Sequence, residues 1–213
     1  MTFLPDLASI LAFTVAAIIL TITPGPDMTL FLGRTLTQGR AAGIAAFCGA
    51  CTGSLIHTML AAFGLSALIA ASPEAFLALK LVGAGYLVYL AIQAIRNGSS
   101  LTLDRGAGGP KQSFFANWAT GIGINLLNPK IILFFVTFLP QFVSVSDPHA
   151  AEKLVFLGVY FIAVAAPMSL AMIVAADRFA NALKRQPKVM RAIDWLFASV
   201  FSAFAVHILL TRA

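Results

Sequence analysis

Two short stretches of the sequence place charged side chains beside prolines inside long apolar runs. The first is TPGPD (residues 23–27), which ends in Asp27, and the second is NLLNPK (residues 125–130), which ends in Lys130. Proline breaks the helical hydrogen-bond ladder, and a charge at the depth of a bilayer is costly. An acid and a base at two such breaks form a pair of opposite charges that could bind a zwitterion.

Each break is followed by a residue pattern that restarts a helix. Pro26 follows Gly25, and Pro129 follows Asn128, which is a favoured N-cap residue. The restarted helix presents unpaired N–H groups and the positive end of its dipole, which attract anions. A carboxylate suits such an end, whereas Lys130 is repelled by it and should need an anion nearby.

The opposite charges of Asp27 and Lys130 have two interpretations. In the first, they bind an α-amino acid, whose carboxylate meets Lys130 and the helix end while its ammonium meets Asp27. In the second, they form a permanent salt bridge that holds the two parts of the protein together, since buried pairs can also be kept for registry.

A polar stripe follows the segment that carries the second break. Asn117, Gly121, Asn125 and Asn128 have helical spacing and therefore predict one polar, small-residue face. In lipid such a face contacts protein or water, so it could line a substrate path or hydrogen-bond neighbouring helices. His57, deep in the second apolar run, could relay protons or cap the site, and it could equally be a packing histidine.

The composition is that of an integral membrane protein. The chain has 213 residues, of which 60% are hydrophobic and 10% charged, and its mean hydropathy is +0.92. Apolar runs long enough to cross a bilayer recur along it. We predict an all-α fold of six transmembrane helices, at residues 4–33, 43–70, 76–95, 114–139, 154–176 and 193–210.

The basic residues indicate how these spans are oriented. The net charge is +6, and ten of the 14 Lys and Arg residues fall in the first, third and fifth connections. The positive-inside rule makes that side cytoplasmic and both termini external. The charge therefore reflects topology in a lipid membrane, and we expect no nucleic-acid partner. The ten residues are Arg34, Arg40, Arg96, Arg105, Lys111, Arg178, Lys184, Arg185, Lys188 and Arg191.

The two breaks divide the chain into two similar halves. Pro24 and Pro129 lie 105 residues apart, and each break lies in the first of three predicted spans. An odd number of spans per half inserts the two copies in opposite orientations, and broken helices at matching positions of inverted repeats indicate a transporter's central site. We predict a single transmembrane domain with repeat one at residues 1–97, a cytoplasmic linker at 98–112 and repeat two at 113–213.

Cys48 and Cys51 form the stretch CGAC inside the second predicted span. A zinc site needs about four ligands, and no second cysteine pair exists, so we expect no metal site and no cofactor. The neighbouring Gly49 and Gly53 favour a helix-packing role for this stretch. The alternative function is a transmembrane thiol–disulfide electron carrier that uses both cysteines. A cation transporter is disfavoured because Asp27 is the only carboxylate at depth.

Four stretches of the sequence are similar to those of a known family. They are TPGPD, QGRAAGIAA, LKLVGAGYLVYLAIQAIR and NLLNPKIILFFVTFLPQFV, and they resemble the LysE/RhtB superfamily of amino-acid exporters. The resemblance covers essentially the whole chain. It implies six helices in two inverted halves, export of amino acids from the bacterial inner membrane, and use of the proton gradient. The family's two proline motifs carry over onto Pro24, Gly25 and Pro26, and onto Asn128, Pro129 and Lys130.

These observations together predict a secondary active exporter and not an enzyme. Its expected substrates are small neutral amino acids, such as threonine, homoserine or leucine-type ones, moved by proton-coupled alternating access. Its partners are then the amino acid, protons and membrane lipid, and a homodimer is compatible with them. The expected substrate-binding residues are Pro24, Gly25, Pro26, Asp27, His57, Asn125, Asn128, Pro129 and Lys130.

Overall fold

The computed structural model describes residues 4–97, 112–144, 147–179 and 186–210, and the regular elements in these ranges are all helices. The predicted all-helical class is therefore confirmed. The predicted linker at 98–112 lies, but for its last residue, outside the described residues. The main helices are α1 (Leu7–Ile22), α2 (Pro26–Gln38), α3 (Arg40–Ala71), α4 (Pro73–Asn97), α5 (Phe114–Leu126), α6 (Pro129–Leu133), α7 (Ala150–Val174) and α8 (Pro187–Leu210).

Three helical stretches are each long and apolar enough to cross a membrane, namely Arg40–Leu65, Ala150–Val174 and Lys188–Val206. Two bent pairs, α1 with α2 and α5 with the segment Pro129–Phe142, bring the number to five if each pair is one span. The apolar stretch Ala84–Gln93 within α4 is shorter than these. The described residues thus give three to five spans, and the sixth span and the inverted repeat stay predictions.

The first break separates α1 from α2 and bends the chain by 50°. α1 ends at Ile22, after which the backbone N–H and the hydroxyl of Thr23 both donate to the carbonyl oxygen of Ile19. Thr23 and Gly25 have extended backbones, and α2 begins at Pro26. Proline suits this position because the N–H that it lacks would have no partner in a first turn.

The second break separates α5 from α6 and bends the chain by 55°. The side-chain oxygen of Asn128 accepts a hydrogen bond from the backbone N–H of Lys130 at 3.1 Å, and Pro129 begins α6. The N-cap predicted from the sequence is therefore confirmed. α6 continues as a π-helical turn (Phe134–Phe138) and a 3-10 turn (Leu139–Phe142), and π-helical turns are frequent at functional sites.

Two buried hydrophobic clusters pack the helices around these breaks. In the larger one, the phenylalanine cluster, the ring centroid of Phe134 lies 5.6 Å from that of Phe13 and 5.0 Å from that of Phe161. Aromatic pairs attract one another at such distances. This cluster fixes the π-helical turn that follows α6 against α1 and α7. The smaller one, the α2–α3 cluster, consists of Met28, Phe31, Leu32, Ala46, Phe47, Met172, Ile173 and Ala176.

Glycines let α3 and α5 pack backbone against backbone. A Cβ atom placed on Gly49 would lie 2.0 Å from the carbonyl oxygen of Trp118, and one on Gly121 would lie 2.1 Å from a carbonyl oxygen of α3. A Cβ atom on Gly53 would lie 2.6 Å from Oδ1 of Asn125. The helix-packing role predicted for this small-residue stretch is therefore present, and it places Asn125 directly against α3.

Candidate functional site

A cavity of about 70 Å³ lies between the two breaks. Three of the predicted site residues, Asp27, Asn125 and Lys130, line it together. Hydroxyl and thiol groups on α1, α3 and α7 complete its polar lining. Both hydrophobic clusters supply its apolar wall, which includes Met28, Phe31, Phe47 and Phe161.

Asp27, in the first turn of α2, is held by two asparagines of the second break. Its Oδ2 atom accepts hydrogen bonds from Nδ2 of Asn125 at 3.0 Å and from Nδ2 of Asn128 at 2.9 Å. Its Oδ1 atom is buried and has no hydrogen-bond partner among the described residues. Since a buried carboxylate oxygen without a donor is costly, this atom is ready to accept a donor that enters the cavity.

The ammonium group of Lys130 reaches across to the first break. Its Nζ atom donates hydrogen bonds to the carbonyl oxygens of Thr23 at 2.7 Å and Leu20 at 3.1 Å. These carbonyls lie at the C-terminal end of α1, where the helix dipole favours a cation. The sequence interpretation considered only the unfavourable N-terminus of the lysine's own helix. It therefore did not predict that the carbonyl oxygens at the end of α1 accept hydrogen bonds from Lys130.

A direct salt bridge between Asp27 and Lys130 is absent from the described residues. An ion pair that is present among the described residues lies elsewhere: it joins Lys153, in the first turn of α7, to Asp147, in the loop before that helix. Instead, the ammonium of Lys130 is stabilised by hydrogen bonds to backbone carbonyls, and the carboxylate of Asp27 is stabilised by hydrogen bonds from side-chain amides. The permanent salt bridge considered from the sequence is therefore not the arrangement observed.

Each break thus binds the charged side chain that comes from the other break. Gly25 makes room for this exchange, because a Cβ atom placed on it would lie 3.1 Å from Nζ and 3.2 Å from Cε of Lys130. If either break moved, a charge in the other would lose its partners, and stranding such a group is costly. These hydrogen bonds therefore tie the two breaks to each other at the cavity.

The remaining predicted residues have backbone or packing positions. Pro24, Pro26 and Pro129 shape the two breaks. The buried ring of His57 stacks on that of Phe135 in the π-helical turn, with 5.6 Å between the ring centroids. His57 does not line the cavity, and its Nε2 atom is buried without a hydrogen-bond partner among the described residues. The packing role is present, and the proton-relay role stays a prediction.

The cavity also contains residues that the sequence interpretation left out. Cys51, to which it gave a packing role, lines the cavity as a free thiol. The Ser54 hydroxyl, also in the lining, donates to Oδ1 of Asn125 at 3.5 Å. Ser169 of α7 lines the cavity as well, and the sequence signal near it is Pro167, a proline inside the same helix. No group of three or more His, Cys, Asp or Glu residues in the described ranges could hold a metal ion.

Comparison with known proteins finds a matching family and several similar membrane proteins. The LysE type translocator family matches residues 18–212. The homoserine/homoserine lactone efflux protein of Salmonella typhimurium is 33% identical over 190 residues, which are 89% of this chain and 90% of that protein. The leucine efflux protein of Salmonella choleraesuis is 32% identical over 145 residues, 68% of each chain. The membrane protein YrhP of Bacillus subtilis is 34% identical over 156 residues, 70% of this chain and 74% of its own. No solved structure matches the chain significantly.

The family match extends over both breaks and over every residue that lines the cavity. The resemblance noted from four sequence stretches is therefore confirmed. The family description and the efflux names of two relatives indicate a transporter rather than an enzyme. The apolar helices fit a chain that passes through a membrane several times. The chain is a multi-pass membrane protein and belongs to the LysE type translocator family.

Proposed function

We propose that the chain is a secondary active exporter of small neutral amino acids in the bacterial inner membrane. Two relatives named as efflux proteins, one for homoserine and homoserine lactone and one for leucine, support export of this class. The substrates are amino acids of the threonine, homoserine or leucine type. The outward direction of transport rests on the efflux names of these relatives.

The observation that carries this proposal is a pair of incompletely satisfied polar groups in one cavity. Asp27 has one oxygen without a donor. Lys130 has three ammonium N–H groups, and two of them bond the carbonyls of Leu20 and Thr23. A zwitterion supplies both missing partners, because its ammonium can donate to Asp27 and its carboxylate can accept from Lys130.

The cavity also restricts the side chain of the substrate. Its volume of about 70 Å³ is room for roughly two water molecules at about 30 Å³ each, so the cavity favours small side chains over large ones. The wall of Met28, Phe31 and Phe47 offers no charged partner, so a charged side chain would be desolvated there without compensation. Small neutral side chains are therefore the class that this lining favours.

Transport in this proposal is an alternating access of two inverted halves, residues 1–97 and 113–213, with the breaks as hinges. Protons are the coupling ion. Asp27 can bind a proton at the oxygen that otherwise receives the substrate ammonium, so the two bind in turn and move in opposite directions. His57 lies about one helical turn from Ser54 of the cavity lining, and its buried Nε2 atom has no partner among the described residues, which supports its participation in the proton path. A homodimer is compatible with this scheme, since each chain carries its own cavity.

Efflux from loaded membrane vesicles tests the proposal. Vesicles that contain the chain are loaded with labelled neutral, basic and acidic amino acids, and efflux is followed with and without an imposed proton gradient. We expect small neutral amino acids to leave several-fold faster than from vesicles without the chain, and collapse of the gradient to remove most of the difference. If no amino acid of the panel leaves faster, the proposed function is wrong. If the rate of efflux is the same with and without the gradient, the proposed proton coupling is wrong.

The second candidate function is a thiol–disulfide electron carrier, which the free thiol of Cys51 in the cavity favours. Cys48 on the same helix is the other free cysteine of the described chain. Replacing both by alanine should leave amino-acid efflux near the wild-type rate, because neither thiol bonds Asp27 or Lys130. The measurement is vesicle efflux beside an assay of disulfide formation. Lost efflux in an inserted Cys48→Ala/Cys51→Ala variant, together with disulfide cycling in the wild type, would favour the electron carrier.

A further inference from the structure

Three side-chain hydroxyls line the cavity, and they differ in how they are satisfied. The hydroxyl of Thr21 donates to the carbonyl oxygen of Ala17 in its own helix at 2.7 Å. The hydroxyl of Ser54 donates to Oδ1 of Asn125 at 3.5 Å. Ser169 is only 4% exposed, and its hydroxyl has no hydrogen-bond partner in the part of the chain that the structure describes. The hydroxyl oxygen is not among the fully buried atoms that lack a partner, so it is open to the cavity and free for a ligand there.

Two contacts fix how α7, which carries Ser169, lies against α3. At one end, Nη2 of Arg40 donates to the carbonyl oxygen of Val174 at 3.0 Å. Further along, a Cβ atom placed on Gly158 would lie 2.3 Å from Oγ1 of Thr58. Residue numbers rise along one helix as they fall along the other, so the two helices run antiparallel.

This register places Ser169 at the opposite end of the cavity from the charged groups. Ser169 lies level with Phe47, whereas Ser54 lies level with the asparagine that binds Asp27. The seven residues between Phe47 and Ser54 correspond to about 10 Å along the helix axis. An amino acid held at Asp27 by its ammonium would therefore direct its side chain towards Ser169.

We infer that Ser169 is a specificity-determining residue that hydrogen-bonds the side-chain hydroxyl of a small neutral amino acid. The inference rests on the proposed function and narrows its substrates from neutral amino acids in general to hydroxylated ones. Ala165, Phe31 and Phe47 form the lining around this end of the cavity, so they offer no polar group to a substrate hydroxyl. A substrate with a methyl group in its place covers the Ser169 hydroxyl without pairing it, and sites with such unpaired groups reject the analogue.

Competition between homoserine and norvaline tests the inference, because the two differ by a hydroxyl against a methyl group. In vesicles that contain the full chain, we expect the wild type to prefer homoserine by about tenfold, the ratio that one hydrogen bond provides. Ser169→Ala should reduce this ratio to near one, mainly by lowering the export of homoserine. The ratio is internal to each preparation, so a lower amount of folded variant does not affect it. Ser202→Ala is the matched control, since Ser202 is half-buried on α8 and outside the cavity lining.

The outcomes separate the inference from the proposed function. If the wild type exports both amino acids and Ser169→Ala leaves their ratio unchanged, the inference is wrong and the proposed function stands. A wild type that prefers norvaline also overturns the inference alone. If the wild type exports neither of them nor any other amino acid of the panel, both are wrong.

Discussion

Replacement of Lys130 by methionine should weaken amino-acid binding by roughly ten- to a hundred-fold, the effect of losing a hydrogen bond to a charged group. The ammonium has one donor left after its bonds to Leu20 and Thr23, and the proposed substrate carboxylate is the acceptor for it. Methionine has a similar length and no donor. The measurement is equilibrium binding of a labelled small neutral amino acid to the purified protein, with vesicle efflux as the second readout.

The methionine variant also leaves two carbonyl oxygens of the first break without their donor, which by itself destabilises the protein by about 1–3 kcal/mol per unsatisfied group. Lys130→Gln separates the two effects, since its amide can still donate to the carbonyls but carries no charge. We expect this variant to recover most of the thermal stability and little of the binding. Lys153→Met is the matched control, because Lys153 pairs with Asp147 outside the cavity. A Lys130→Gln variant that binds and exports like the wild type would show that the lysine is only a cap on α1.

The Asp27→Asn/Lys130→Gln double variant addresses mutual neutralisation of the two charges. If Asp27 and Lys130 only balanced each other, the neutral pair should restore stability and transport together. Under the proposed function the double variant stays inserted and folded, yet it neither binds nor exports an amino acid. Recovered export in this variant would contradict the substrate site.

The positions and internal structure of both breaks could be predicted from the sequence because their causes are local. Proline cannot continue a helix and suits a first turn, and asparagine caps a helix through its own side chain. The N-cap of Asn128 and the starts of α2 and α6 follow from these rules alone. The burial of Asn117 and Asn125 was likewise predictable, since helical spacing places them on one side of α5; Asn128 is also buried, but it lies in the break that follows this helix.

The partner of Lys130 could not be predicted from the sequence, because its acceptors are backbone carbonyls. Every residue has such a group, so the sequence carries no mark of those of Leu20 and Thr23. Which carbonyls become available depends on where α1 stops, and which of them the lysine reaches depends on the bends of two breaks that are distant in sequence. The role of Ser169 was hidden for a similar reason, since only the register of α7 against α3 brings it to the cavity.

Substitution of a glycine at the close contact between α3 and α5 should also have a large effect, in this case on the stability of the protein. Gly121→Ala should lower the apparent Tm by several degrees, since overpacking a well-packed interface costs about 1–3 kcal/mol. The added Cβ would lie 2.1 Å from a carbonyl oxygen of α3 and 3.0 Å from Cα of Gly49. Both of these are backbone atoms, so the clash cannot be relieved by a side-chain rotation and the two helices must separate.

Gly123→Ala, in the same helix, is the matched control, because no atom lies within 4 Å of a Cβ atom placed there. Alanine is the better helix former by about 0.5–1 kcal/mol, so this variant should keep or slightly raise the Tm. Separation of α3 from α5 also withdraws Asn125 from Ser54 and from Asp27, to which its amide now donates. We therefore expect Gly121→Ala to weaken amino-acid binding as well as stability, whereas Gly123→Ala should bind like the wild type. Thermal unfolding in detergent and equilibrium binding measure the two effects, and equal Tm values for the two variants would contradict the backbone contact that positions Asn125 at the cavity.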